Sequence, residues 1–562
     1  MDRPGLAEDG LARGLLMLLC LLVIPPLAFI AFGAFRNVGP GAPGAEFTLE
    51  NWEYVLRPIA VRTIANSLML GTAASALAIA AGLLMAWLLV RTDMPTRRQL
   101  STLVIVPLLF SPLLTSVAYV GIGGPNAGIV NVLAKNLPGV TGPLVDIYSV
   151  AGMVFVLFLH YAPYAYLGVR AALLNVDPDL EEASQVLGAN VATTLRRVTL
   201  PLIRPMLFGS ALLVFVFAAE DFSAPAILGV GIGFPTLPYA IYENVAEYPA
   251  HPTRAAALGM VLFLLMLIAI SVYLWSIRSG ARYVSVSGKG ARSSLVRLGR
   301  PLKIAAIVYV LGYFLAAVAL PYGVLVIGSF SSYFATSQFD ISLLTLRHYQ
   351  NFFTDYESAV AIRNTVTLML VGATVATLLA AFVSRVAVRS RYRWRHLLEY
   401  LSTAPIFMPG AVLGLGLFWT YVFVPTGLYG TTAILLIAFV TRFFGHGTRV
   451  LSPALLQVSR EFEEAAQTLG SSRLQAFIRI TIPMLRTPLA SAWVLIAIFI
   501  SMELAASIFL YSSSSITGSL LVFRTMSSGT ISTAFTAGAV FATATFVIIA
   551  VAQWRLRALD KL

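Results

Sequence analysis

Residues 182–201 read EASQVLGANVATTLRRVTLP, and residues 464–483 read EAAQTLGSSRLQAFIRITIP. At an offset of 282 residues, Glu182-Ala183 falls on Glu464-Ala465, Gly188 on Gly470, and Val198-Thr199-Leu200-Pro201 on Ile480-Thr481-Ile482-Pro483. Asp221 falls on Glu503 at the same offset. Upstream, Asn66 matches Asn364 and Pro107 matches Pro405 at an offset of 298. The change in offset is taken up by the Gly- and Pro-rich stretch 121–147, which has no counterpart of equal length in the second half. A match that survives one localised insertion marks an internal duplication.

Composition says where the two copies sit. The 562 residues are 58% hydrophobic and 11% charged, with mean hydropathy +0.84. Soluble chains carry about a quarter charged residues, so this chain has too little charge to cover a water-facing globule. A lipid-facing exterior is the alternative. Twelve apolar runs are long enough to span a bilayer, near 14–35, 64–90, 100–123, 149–174, 205–229 and 255–277, then 303–329, 364–388, 397–424, 430–451, 487–511 and 532–554. The expected fold class is an all-α polytopic membrane protein of two tandem six-helix repeats: 1–278, a linker 279–302 rich in Ser, Gly, Arg and Lys, and 303–562. The first run is too long for a signal-peptide core and is read as a retained helix. Leu19 before the single cysteine, Cys20, is too large for a lipoprotein signal.

Most of the 38 Lys and Arg cluster on one side. They lie with Arg3 and Arg13, the turn at Arg91, Arg97 and Arg98, the loop at Arg196, Arg197 and Arg204, the stretch Arg278 to Lys303, the run Arg385 to Arg395, the loop at Arg473, Arg479 and Arg486, and the tail at Arg555, Arg557 and Lys561. The positive-inside rule makes that side cytoplasmic, with both termini inside. The net charge of +13 is spread over short segments between apolar runs, so it does not read as a nucleic-acid surface. Two outside stretches, 36–63 and 330–362, are long enough for short surface helices.

The repeated segments, 176–201 and 458–483, each follow the fourth run of their half. Each reads as helix, glycine turn, helix. Pro178-Asp179-Leu180-Glu181-Glu182 places acids at a helix start, where the helix dipole favours them; Gly188 permits a tight turn; Pro201 is expected to end the segment. The second copy runs from Glu461 through Gly470 to Pro483. Glu220, Asp221 and Glu503 lie inside apolar runs. Acids at membrane depth are costly and should face an interior or a pathway. Two readings stand for them: they line or gate a route, or they cap a neighbouring helix and hold the bend near Pro225.

The pattern Glu-Ala-Ala-x-x-x-Gly, nine residues, then Ile-x-Leu-Pro resembles the coupling-loop signature of binding-protein-dependent ATP-binding cassette importers. This chain carries it twice, with Ser184 for Ala, Val198 for Ile and Ile482 for Leu. The resemblance covers nearly the whole chain and implies a MetI-like type I importer permease in the inner membrane of a bacterium. It implies that Glu181, Glu182, Ala183 and Gly188, with Glu463, Glu464, Ala465, Ala466 and Gly470, dock two copies of a nucleotide-binding subunit. A periplasmic solute-binding protein would deliver the cargo. ATP and Mg would bind the partner subunits, with no cofactor or metal site in this chain. The only Gly-Lys pair, Gly288-Lys289, is followed by Gly290 and is no phosphate-binding loop. The five His (His160, His251, His348, His396, His446) show no metal-ligand spacing,, and no catalytic constellation is present. Tandem fusion, the linker residues Arg282 to Lys289 and the Ala-Glu-Asp-Phe at 219–222 look most like the ferric iron permeases, with thiamine and aminoethylphosphonate permeases as relatives and polyamines as a further alternative. A secondary transporter or a membrane scaffold is the rival class; neither needs the paired loops.

Overall fold

The computed structural model describes residues 6–135, 137–138, 142–280, 295–331, 344–390, 392–424 and 426–559. Helices dominate because in lipid every backbone N–H and C=O needs an internal partner. Among the described residues nine helices are long and apolar enough to cross a membrane, and they include Pro58–Arg91, Val150–Leu174, Val191–Ala219, Tyr356–Arg389 and Thr432–Gln457. The surface loops hold the short helices Glu50–Val55 and Arg347–Thr354. The core of the linker, including Arg282 to Lys289, and the charges at Arg3, Arg391 and Lys561 lie outside the described residues.

Four expected spans take a different form. The runs at 100–123 and 397–424 are not straight. Arg97–Leu109 meets Pro112–Gly123 at 94°, and Arg395–Phe407 meets Gly410–Phe423 at 108°. Pro112 and Pro409 supply the physical reason, since proline has no N–H to continue the preceding helix and pushes its predecessor to extended backbone. Ser111 caps the new start, accepting from the Leu113 N–H. The runs at 205–229 and 487–511 end early, at Ala219 and Met502. The chain then leaves the helix at the acids and returns through Leu237–Ala246 and Gly518–Ser527. Pro201 does not end its segment either: one helix runs from Val191 to Ala219, and the wider turn Leu195–Thr199 just before the proline absorbs its missing donor,.

The matched asparagines explain themselves here. Asn66 donates to the Pro235 carbonyl, and Ser67 accepts from the Leu237 N–H. Asn364 donates to Ser514 and Ile516, and Thr365 accepts from the Gly518 N–H. Each pair satisfies the exposed start of a returning helix. The halves interlock: Leu6–Ala34 packs on Gly410–Phe423, and Leu320–Phe330 on Pro112–Gly123. Tyr119 donates to the Ala316 carbonyl at 2.9 Å and Tyr313 to the Leu159 carbonyl at 2.6 Å. The described end of the linker is bound too. Val296 exchanges backbone hydrogen bonds with Arg91 and Asp93, and Lys303 lies 2.7 Å from the Asp93 carboxylate.

Candidate functional site

Both repeated segments are hairpins of two helices. In the first, Pro178–Val186 is capped by Asp177, whose side chain accepts from the Asp179 N–H. At its far end Gly188 (φ +88°) takes the left-handed conformation. The Gly188 N–H bonds to Gln185 O, and the Ala189 N–H to Ser184 O. These two bonds satisfy the last carbonyls of the helix. The second hairpin repeats every part: Glu461–Thr468, Gly470 at φ +92°, Gly470 N–H to Gln467 O, Ser471 N–H to Ala466 O. Any other residue at either glycine pays for the left-handed backbone.

A buried anchor ties each hairpin to the membrane helices. Arg91, at the end of Pro58–Arg91, places Nε 3.2 Å from Glu181 Oε2 and donates through Nη2 to the Leu173 and Val176 carbonyls. Thr199, on the second arm, donates to Glu181 Oε1 at 2.6 Å. The second half copies this: Arg389 stands 3.8 Å from Glu463 and donates to Leu455 and Val458, and Thr481 donates to Glu463 at 2.6 Å. A lone buried charge would be expensive, and the partner arginine and threonine hydroxyl offset that.

These contacts revise the expected docking surface. Glu181 and Glu463 are buried, as is Ala466; the acids hold the hairpin from inside, and Ala466 packs beneath it. Glu182, Ala183, Gly188, Glu464, Ala465 and Gly470 are exposed. Beside them stand apolar side chains unlike a solvated loop: Val186 is 86% exposed, Leu187 88% and Leu469 89%. Sequence reading passed over them, although an apolar pair ahead of a turn glycine outside the lipid spans was the available signal.

The second feature is a cavity of about 160 Å³ between the halves, lined by Glu220, Asp221, Glu503, Tyr161, Tyr164, His160, Arg442 and His446 among others. The acids do different work. Asp221 accepts from the Ala224 N–H at 2.9 Å and from Tyr161 Oη at 3.1 Å. Glu503 accepts from the Ala506 N–H at 2.8 Å. Both therefore cap the chain where it leaves its helix. Arg442, within Thr432–Gln457, was missed in the sequence. It lies 3.3 Å from Glu503 of its own half and 3.6 Å from Glu220 of the other. Among the described residues no group of three or more His, Cys, Asp or Glu is placed to hold a metal ion.

A multi-pass membrane protein of two like halves, with a cavity between them and one anchored hairpin per half, is the architecture of a transport permease. Residues 78–279 and 376–562 match the family described as binding-protein-dependent transport system inner membrane component, and the chain belongs to it. It is 28% identical over 412 residues to the ferric transport system permease protein FbpB of Actinobacillus pleuropneumoniae, across 73% of this chain and 59% of that protein. It is 27% identical over 500 residues to the putative ferric transport system permease protein FbpB 1 of Haemophilus influenzae, across 88% of this chain and 77% of that one. The sulfate transport system permease protein CysT of Salmonella typhimurium is 25% identical over 271 residues, covering 48% of this chain and 92% of CysT. The chain thus spans under two thirds of the first relative's length. It carries the domain of this family twice, fused in tandem.

Proposed function

We propose that this permease carries ferric iron inward across the inner membrane, both termini facing the cytoplasm, with energy supplied by two separate ATP-hydrolysing subunits. The observation that carries the coupling is the duplicated hairpin: a rigid internal anchor with an exposed apolar tip. Each tip, with Val186 and Leu187 or Leu469, offers about 1.5–3 kcal/mol per fully buried large apolar side chain to a partner groove. Glu182, Ala183, Gly188, Glu464, Ala465 and Gly470 form the docking face around it. A periplasmic binding protein would deliver cargo to the opposite side.

When the ATPase subunits close, each tip moves with its groove. Arg91–Glu181–Thr199 and Arg389–Glu463–Thr481 pass that motion to the membrane helices ending at Arg91 and Arg389. The halves then rock about the axis between them, and the cavity opens to alternate sides.

The ferric reading is supported by the two ferric relatives. Sulfate permeases are relatives as well, and uptake separates the two cargoes. The test is reconstitution with the ATPase and binding protein in proteoliposomes. Radiolabelled ferric ion on the binding protein is taken up when ATP is supplied, and labelled sulfate is not. Sulfate uptake without iron uptake would refute the cargo and leave the coupling intact.

A further inference from the structure

The duplication separates the charged groups of the cavity into two kinds. Asp221 and Glu503 occupy matched positions and make matched bonds, each to the N–H three residues on. That is scaffold work, needed twice because the fold is built twice. Glu220 and Arg442 have no like counterpart, because Met502 and His160 stand at the positions matched by the 282-residue offset. The unmatched acid and the unmatched base come from opposite halves and meet in the cavity, 3.6 Å apart.

Their environments show which of them is committed. Arg442 Nη1 is buried with no hydrogen-bond partner. It lies against Gly410, where any side chain would collide with the guanidinium. Gly410 opens the 14-residue helix Gly410–Phe423, and a cation at a helix start opposes the dipole. The fold therefore holds Arg442 there against its local preference, through the two carboxylates. Glu220 is less tied. Among the described residues its carboxylate has Arg442 as its ion-pair partner and makes no hydrogen bond, whereas Asp221 accepts two and Glu503 one. Glu220 is thus the carboxylate left to interact with whatever enters.

We propose that Glu220 is the carboxylate that receives a hard cation in this cavity, and that the Arg442 guanidinium is a tethered cation filling that place while the halves stand as here. When the halves part, Glu220 leaves with the first and Arg442 with the second, so the carboxylate is freed as the route opens. The inference takes its direction of travel from the importer reading and does not need the cargo to be iron.

The test uses the purified full chain and terbium(III), a hard trivalent cation whose luminescence Tyr161 and Tyr164 in the cavity wall sensitise. Arg442→Gln binds terbium about tenfold more tightly than the wild type, since one tethered competitor is gone. Adding Glu220→Gln removes the gain; adding Glu503→Gln retains most of it. No gain in Arg442→Gln overturns the proposal. So does a gain that survives Glu220→Gln, or one abolished by Glu503→Gln alone. If Arg442→Gln does not fold, Arg442→His, which installs the residue found at matched position 160, takes its place with the same expected outcomes. Uptake of iron is not read in this assay, so a wrong cargo and a wrong site give distinguishable results.

Discussion

Arg91→Ala should loosen the first hairpin and leave the second intact. The substitution removes the Nε contact at 3.2 Å from Glu181 and both donations to Leu173 and Val176. Glu181 then remains buried with the Thr199 hydroxyl as its hydrogen-bond partner. Removing one member of a buried pair costs about 3–5 kcal/mol. The carboxylate can relax toward solvent at the hairpin surface, so the lower figure applies. About 3 kcal/mol corresponds to a roughly 10²-fold rise in the open population. Hydrogen exchange read by mass spectrometry on residues 178–187 should therefore quicken about 10²-fold. Residues 461–469 of the same molecule serve as the internal control. Arg389→Ala mirrors the effect on 461–469, and more weakly, because that pair is 3.8 Å apart. A double-mutant cycle with Glu181→Gln isolates the pair. Unchanged exchange at 178–187, equal acceleration in both hairpins, or strictly additive effects of Arg91 and Glu181 would each refute the anchor.

Three further outcomes follow from the geometry. Gly188→Ala and Gly470→Ala force a Cβ into left-handed backbone and each cost about 1–2 kcal/mol, read as faster exchange confined to the mutated hairpin. Asp221→Asn keeps an oxygen to accept from Ala224 and should transport nearly normally, whereas Asp221→Ala loses the cap, costs about 1 kcal/mol, and lowers thermal stability. The Leu298 N–H and then Lys303 hold the Asp93 carboxyl below its ordinary value of 3.8. A carboxyl depressed in the folded state contributes stability that is complete above the ordinary value and lost as pH falls through the lower one. Protection of the Val296 and Leu298 amides should accordingly hold from neutral pH to about pH 5 and decline below the ordinary aspartate value, and Asp93→Asn should abolish that pH dependence.

The duplication, the apolar runs and the glycine hairpins were legible because each leaves a local signature: a repeat offset, a run length, or a residue suited to left-handed backbone. What escaped was long-range. Arg91 reads as one more basic loop residue, since a charge count does not separate a solvated arginine from one buried against Glu181. Glu181 and Glu182 are adjacent acids on one helix, and only packing shows that the first points in and the second out. The breaks at Pro112 and Pro409 were marked by proline, yet the apolar run continues across them and hydropathy is blind to a bend. Asp221 and Glu503 drew attention by matching. The match reflected a duplicated cap, while Glu220 and Arg442, the unmatched pair, form an ion pair across the halves in the cavity. Arg442 was discoverable as an arginine in the middle of an apolar run, at the position matched to His160.

In the proposed coupling, two exposed hairpin tips, one per half, carry the force of separate ATPase subunits. Co-purification of the ATPase with the full chain, followed by stoichiometry, measures this directly. Two ATPase copies per chain are expected, one copy after Leu187→Asp or Leu469→Asp alone, and none after both, with the chain itself still folded in detergent. Two copies retained by the double variant would contradict it.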